Sequence, residues 1–167
     1  YLVASELMVT RIGNNLLLTT RNTGEVITIS NYFSSSAYEV NAIEFADGVI
    51  WNPETIYRLS VEGTEWNDVI VGTNAGEQID AGNGNDIVDG GLGNNTLDGG
   101  AGDDTLKIAS ASSSTSGYSN TFVGGAGHDR LEGASGADTY VYNLGDGNDV
   151  IADKDAGYGK VDRLVFG

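Results

Sequence analysis

Aspartate recurs at a fixed spacing along the chain from Gly63 onward, always close to glycine. This region divides into eight units of nine residues, and the sixth position is Asp in six of them. Carboxylates next to glycine-rich turns, where backbone carbonyl oxygens can approach one another, supply the all-oxygen ligand set that Ca²⁺ prefers. The pattern therefore predicts calcium sites whose carboxylate ligands are Asp68, Asp86, Asp104, Asp129, Asp138 and Asp149.

Glycine occupies positions one, two and four of the best-formed units, such as the turn from Gly99 to Asp104. We expect these glycines to adopt positive φ and to bring carbonyl oxygens together where a Cβ would clash. A ring of inward carbonyls then completes the shell around a hard cation. The carbonyl ligands predicted in this way are those of Gly82, Gly84, Gly99, Gly100, Ala101 and Gly102.

The eighth position of every unit is apolar, which identifies the elements that must position the aspartates. One inward side chain in nine residues is too sparse for an amphipathic helix and fits a strand of three residues. Each unit is therefore predicted to be a tight turn followed by a very short strand.

The units resemble the G-G-x-G-x-D-x-U-x repeat of the RTX family, the hemolysin-type calcium-binding proteins of Gram-negative bacteria. The resemblance covers about half of the chain and depends on a motif, a period and several copies. It implies an all-β fold, a right-handed parallel β-roll in which two units form one coil. Units two apart would then stack and share Ca²⁺ between their turns.

The phase of the repeat predicts two unequal edges of the roll. The aspartate edge is the stack of turns that end at Asp68, Asp86, Asp104, Asp129 and Asp149. The mixed edge contains the turns that end at Glu77, Asn95 and Asp138, with an insertion between the last two. We expect well-formed ions on the aspartate edge and weak or empty sites over the first half of the mixed edge.

Charge supports bound cations over a purely structural role for the aspartates as turn caps. The chain has a formal charge of −16, and residues 63–152 contain 14 acidic and two basic residues. Such a surface repels nucleic acid and anionic membranes, and stacked acidic turns need cations to offset their repulsion. The chain has no cysteine and one histidine, which excludes thiolate and multi-histidine metal sites.

Composition predicts three segments. Nineteen of the 25 glycines lie between Gly63 and Gly147, which places a boundary near residue 62. Residues 1–62 are predicted to be a β-rich segment that caps the roll, and residues 63–152 the roll itself. An inserted surface loop is expected at 108–121, and residues 153–167 should form a C-terminal strand that leads to a following module.

Within the first segment, the sequence predicts short strands and one helix. The strands are expected at Leu7 to Arg11, Leu16 to Thr20, Glu25 to Ser30, and Ala42 to Trp51 with a break at Asp47-Gly48. Asn52 followed by Pro53 has the features of a helix N-terminus, and the helix should end near Leu59.

The sequence indicates a calcium-binding, calcium-triggered folding module of a secreted bacterial protein, and no enzyme. Serines lie in the insertion without a catalytic motif, and His128 has the position of a turn residue. Both ends read as cut, so neighbouring modules of the same chain are expected partners, with no apolar run long enough to span a bilayer. The alternatives are a module that binds a polysaccharide or a host-cell receptor, and a structural spacer in an adhesin. All of these place the chain outside the cell or at the bacterial surface.

Overall fold

Two units of the chain are visible in the computed structural model, which describes residues 1–108, 117–154 and 161–167. The first unit is Tyr1–Val61 and the second is Glu62–Gly167. Most of the predicted surface loop at 108–121 lies outside the described residues.

The first unit is built from short antiparallel strands. β1 (Leu7–Ile12), β2 (Asn15–Thr20) and β3 (Val26–Ile29) form a three-stranded sheet in that order. β4 (Ile43–Glu44) pairs with β5 (Ile50–Trp51). Each of the five strands overlaps a run predicted from the sequence, and β1 and β2 each extend one residue beyond the predicted run.

A single α-helix, α1 (Pro53–Leu59), follows these strands among the described residues. Asn52 caps it, because its Oδ1 accepts a hydrogen bond from the backbone N–H of Thr55 at 2.8 Å. No helix in the described part of the chain is long and apolar enough to cross a membrane. The core of this unit consists of Leu7, Leu16, Leu18, Tyr32, Phe45, Trp51 and Ile56.

The second unit contains ten short strands that form two parallel sheets among the described residues. The strands are β6 (Val69–Val71), β7 (Gln78–Asp80), β8 (Ile87–Asp89), β9 (Thr96–Asp98), β10 (Thr105–Lys107), β11 (Thr121–Val123), β12 (Arg130–Glu132), β13 (Thr139–Tyr142), β14 (Val150–Ile151) and β15 (Arg163–Phe166). The even-numbered strands form one sheet, and the odd-numbered strands form the other. The predicted parallel β-roll is therefore confirmed.

The register of both sheets stacks the apolar eighth positions of the repeat. Leu106 pairs with Val88 on one side and with Leu131 on the other. In the second sheet, the rings of Phe122 and Tyr140 stack with centroids 5.2 Å apart. Because these side chains are buried, they fix the coils and hold successive turns one above another.

The roll includes one strand beyond residue 152. β15 pairs in parallel with β13, and Leu164 lies in register with Tyr140. The C-terminal strand predicted within 153–167 is thus present as the last described strand of the second sheet.

Candidate metal centres

The position-six residues of the aspartate edge form a continuous ladder of hydrogen bonds. In each step, the backbone N–H of one aspartate donates to the carboxylate Oδ1 of the aspartate in the next coil. The stacking order predicted from the repeat phase is therefore present in the structure. The donor-to-acceptor pairs are Asp68 to Asp86 at 2.7 Å, Asp86 to Asp104 at 2.8 Å, Asp104 to Asp129 at 2.8 Å, and Asp129 to Asp149 at 3.1 Å.

The second carboxylate oxygen is unsatisfied in three of these aspartates. The Oδ2 atoms of Asp86, Asp104 and Asp129 are buried and have no hydrogen-bond partner in the described structure. The three residues are at most 2% exposed. A buried anionic oxygen without a partner is costly, and a bound cation removes that cost. The three oxygens thus fit a site for a hard cation such as Ca²⁺.

Backbone carbonyls of neighbouring turns lie at the same edge. Gly82 O accepts the N–H of Ala101 at 2.9 Å, and Ala101 O accepts that of Gly84 at 2.8 Å. Gly100 O accepts the N–H of Ala126 at 2.8 Å. Because a carbonyl has two lone pairs, each of these oxygens keeps one for a further ligand. The predicted carbonyl residues, including Gly84, Gly99 and Gly102, all lie in the turns that end at Asp86 and Asp104.

The positive φ predicted for glycine is present at positions two and four and absent at position one, whereas the predicted clash of a Cβ is confirmed at position one as well. Gly100 and Gly102 have φ of 90° and 131°, whereas Gly99 has no positive φ. A Cβ on Gly99 would instead collide with Asp104 Oδ2 and with the carbonyl of Gly124. Position one therefore needs glycine to keep space beside the unsatisfied carboxylate oxygen.

Burial also changes the acidity of these carboxyls. It raises the pKa of Asp104 to about 7, and the negative charges of Asp129 and Asp86 add to the shift, although a backbone hydrogen bond opposes it. Burial raises the pKa of Asp129 to about 6, with a smaller contribution from Asp149. The pKa of Asp86 is raised for the same main reason. In all three residues burial disfavours the ionised carboxylate, and a bound cation would favour it.

The first turn of the aspartate edge differs from the others. Asp68 Oδ2 accepts hydrogen bonds from both the backbone N–H and the hydroxyl of Thr64, each at 2.7 Å. Threonine replaces the second glycine of this unit. The predicted ligand Asp68 thus has protein donors at the oxygen that is unsatisfied in Asp86.

The mixed edge has the same backbone-to-side-chain ladder. Each position-six N–H donates to the side-chain oxygen of the next coil, so the two edges share one construction. The pairs are Glu77 to Asn95 at 2.8 Å, Asn95 to Asn120 at 3.0 Å, Asn120 to Asp138 at 2.9 Å, and Asp138 to Asp162 at 2.9 Å.

Two members of this ladder, Asn120 and Asp162, were missed in the sequence. Asn120 lies two residues before the core residue Phe122, and Asp162 lies two residues before Leu164. Position six always precedes the apolar position by two residues, so counting backward from the apolar residue identifies both. The forward count misses them because extra residues precede each one.

The predicted ligand Asp138 lies on the mixed edge and is fully buried. Its Oδ2 accepts the backbone N–H of Ala134 at 3.3 Å, and its Oδ1 accepts the side-chain amide of Asn120 at 2.9 Å. Burial raises the pKa of Asp138, while these hydrogen bonds oppose the shift. Within the described residues, Asp138, Asp153 and Asp162 each place a carboxylate oxygen within 4.8 Å of the others. Three acidic groups thus gather in the last coils of the mixed edge.

A second ladder runs along position five of the aspartate edge and was not foreseen. Asn67 Oδ1 accepts the N–H of Asn85 at 2.8 Å, and Asn85 Oδ1 accepts that of Asp103 at 3.0 Å. Asp103 Oδ1 then accepts the N–H of His128 at 2.9 Å, and the His128 side chain is 66% exposed. The histidine thus belongs to the turn framework.

Comparison with protein families agrees with this geometry. The model described as the RTX calcium-binding nonapeptide repeat, in four copies, matches residues 71–106 and 114–151. The model described as the haemolysin-type calcium binding protein related domain matches residues 15–55 in the first unit. No curated protein is significantly similar to the chain. The matched repeats contain Asp86, Asp104 and Asp129, whose Oδ2 atoms are unsatisfied.

Proposed function

The chain belongs to the RTX family of haemolysin-type calcium-binding repeat proteins, and we propose that its roll is a calcium-triggered folding module of a secreted bacterial protein. Its repeats bind Ca²⁺, and the proposal concerns what that binding does. The observation that carries it is that three buried carboxylate oxygens, at Asp86, Asp104 and Asp129, have no hydrogen-bond partner among the described residues.

These oxygens couple the fold to the ion. In the unfolded chain each carboxylate is hydrated, whereas in the roll it is stripped of water and stacked on its neighbours. Residues 63–152 contain 14 acidic and two basic residues, so the coiled form also concentrates negative charge. Ions that bind the coil and not the unfolded chain stabilise the coil by mass action.

The coupling suits a protein that is exported before it folds. Extracellular calcium modules bind with dissociation constants of about 10⁻⁴ to 10⁻³ M, far above the free calcium of the cytosol. The chain would then stay unfolded until it leaves the cell through a type I system. The parent protein is proposed to be a toxin, an adhesin or an exoenzyme, with neighbouring modules as partners. No catalytic role is assigned, because the carboxylates that could act as acid and base are the proposed ligands.

A calcium titration followed by circular dichroism tests the proposal. We expect a largely unfolded spectrum in excess chelator and a cooperative gain of β structure as Ca²⁺ rises to about millimolar. Mg²⁺ should substitute poorly, because it requires a small octahedral shell and loses water reluctantly. A roll that is already folded in excess chelator at neutral pH would overturn the proposal.

A further inference from the structure

Asn95 on the mixed edge occupies the same place in its turn as Asp104 does on the aspartate edge. The Oδ1 atom of each accepts a backbone N–H from the preceding coil, in both cases at 2.8 Å. The position-one glycines confirm the match for the second side-chain atom. A Cβ on Gly90 would lie 3.3 Å from Asn95 Nδ2, and a Cβ on Gly99 would collide with Asp104 Oδ2.

The two equivalent atoms differ in what they do. Asn95 Nδ2 donates to the carbonyl of Leu92 at 3.1 Å and to that of Gly93 at 3.4 Å. Asp104 Oδ2 accepts no hydrogen bond within the described structure. In the aspartate turn, positions three and four are Ala101 and Gly102, whose carbonyls are predicted ligands. An oxygen beside carbonyl oxygens needs a cation between them, while an amide N–H₂ needs none.

Asn120, the next residue on the mixed edge, repeats the arrangement. Its Nδ2 donates to the carboxylate Oδ1 of Asp138 at 2.9 Å and to the carbonyl of Tyr118 at 3.3 Å. The amide thus places a partial positive charge against an acidic oxygen. Both asparagines are 2% exposed, so water cannot replace the amide as the hydrogen-bond donor to these oxygens.

We propose that the side-chain amides of Asn95 and Asn120 stand in for Ca²⁺ on the mixed edge, so that these turns are latent calcium sites. Where no other protein group donates to the second side-chain atom, position six then determines occupancy. Aspartate leaves an oxygen that requires an ion, as at Asp86, Asp104 and Asp129, whereas asparagine completes the turn without one. A neutral amide also avoids the desolvation cost of a buried carboxylate. The inference rests on calcium binding at the aspartate edge and adds which residue decides the occupancy of each turn.

The double variant Asn95→Asp/Asn120→Asp tests the inference by calcium stoichiometry. Isothermal titration calorimetry of the full chain should give at least one more bound Ca²⁺ per chain than the unsubstituted protein. The matched control is Asn94→Asp/Ser119→Asp. It adds the same charge to the same two turns at position five, where both side chains are exposed, and it should leave the stoichiometry unchanged. A double variant that binds no additional ion at saturating calcium, or a control that gains as many, contradicts the inference.

The reciprocal exchange on the aspartate edge provides a second test, in which the number of bound Ca²⁺ ions should fall instead of rise. Asp104→Asn should lose at least one bound Ca²⁺ yet keep the β-roll spectrum at saturating calcium. Asp104→Ala should lose the bound ion and part of the β-roll spectrum as well. If the asparagine variant retains no more structure than the alanine variant, the amide does not replace the ion. A chain that folds in chelator would overturn calcium-triggered folding, and the stoichiometric comparison would still decide the present inference.

Discussion

The two edges of the roll share one construction and differ in one atom. Along both, a backbone N–H donates to the position-six side chain of the next coil, at 2.8 Å for Asp86 to Asp104 and for Glu77 to Asn95 alike. The core residues Val88 and Leu97, one from each sheet, are both fully buried. The difference is the second side-chain atom of position six. It has no hydrogen-bond partner among the described residues at Asp86, Asp104 and Asp129, and it is hydrogen-bonded at Asn95 and Asn120. We therefore expect metal dependence to be a property of individual turns and not of the fold as a whole.

The largest expected difference between the edges comes from alanine at position six. Asp86→Ala removes a carboxylate that lies between the turns of Asp68 and Asp104, so two adjacent sites lose charge. We expect the calcium midpoint for folding to rise about tenfold, on the scale where ~1.4 kcal/mol per bound ion corresponds to a factor of ten. Circular dichroism at graded calcium measures the midpoint.

Asn95→Ala is the matched change on the mixed edge. It removes the amide hydrogen bonds, which costs about 1–3 kcal/mol of folding free energy in total. Spread over several bound ions, that cost should move the midpoint about twofold. Equal midpoint shifts for Asp86→Ala and Asn95→Ala would mean that the edges do not differ as described.

Alanine at position one should give a smaller difference in calcium midpoint between the two edges. In Gly99→Ala the new Cβ collides with Asp104 Oδ2 and with a backbone carbonyl, so the space beside the ion is lost. In Gly90→Ala the nearest atom is the end of the flexible Ile108 side chain, at 2.8 Å. We expect Gly99→Ala to raise the calcium midpoint several-fold more than Gly90→Ala does, measured by the same titration. A larger shift for Gly90→Ala would contradict the assigned role of position one.

Folding order sharpens the comparison within the aspartate edge itself. The turns that end at Asp104 and Asp129 match the repeat best, and each has an Oδ2 without a partner among the described residues. In the turn of Asp68, Thr64 donates hydrogen bonds to the equivalent Oδ2. In a repeat solenoid, order that begins in strong units spreads to weak neighbours. Nucleation should therefore favour the C-terminal half, and deletion of residues 144–167 should cost more calcium-induced structure than deletion of 1–40.

Hydrogen exchange at graded calcium tests this order directly. Amides around Leu106 and Leu131 should become protected at lower calcium than those around Ile70 and Ile79. If the amides around Ile70 and Ile79 are protected first, folding starts at the N-terminal end and the prediction is wrong.

Much of the roll could be predicted because its period is strict. The apolar eighth position defined the strands, and the phase placed Asp86 and Asp104 on one edge. The cap of α1 was predictable because Asn52 precedes Pro53. Asn120 was not predicted, since the insertion interrupts the forward count.

The hydrogen-bond partners of individual side chains could not be predicted from the sequence either. Asp68 and Asp86 occupy the same position of the repeat. The Thr64 hydroxyl donates to the Oδ2 of Asp68, whereas the Oδ2 of Asp86 has no hydrogen-bond partner in the described protein. The two kinds of glycine in the turn also look identical in sequence. Only the geometry separates Gly100, which has a positive φ, from Gly99, which has none and needs glycine for space alone.

The smallest expected effect is on pH dependence, and it too should follow the aspartate edge. In the metal-free roll, burial raises the pKa of Asp104 to about 7 and that of Asp129 to about 6, while an unfolded aspartate titrates near 3.9. Between these values the folded form holds protons that the unfolded form has released. Stability from these two groups is therefore fully present below about pH 3.9 and is lost as pH rises through about 6 to 7.

Protons should thus partly replace calcium on the aspartate edge. In chelator, circular dichroism should show β structure increasing as the pH is lowered from 8 to 5, and in calcium the folding midpoint should rise over the same range because protons compete for the ligands. Asp104→Asn/Asp129→Asn removes both titrating groups and should flatten the two profiles. The remaining slope would come from groups such as Asp138, whose raised pKa is opposed by hydrogen bonds from Asn120 and Ala134. If the double variant keeps the full pH dependence, the unsatisfied oxygens of the aspartate edge are not where protons and calcium compete.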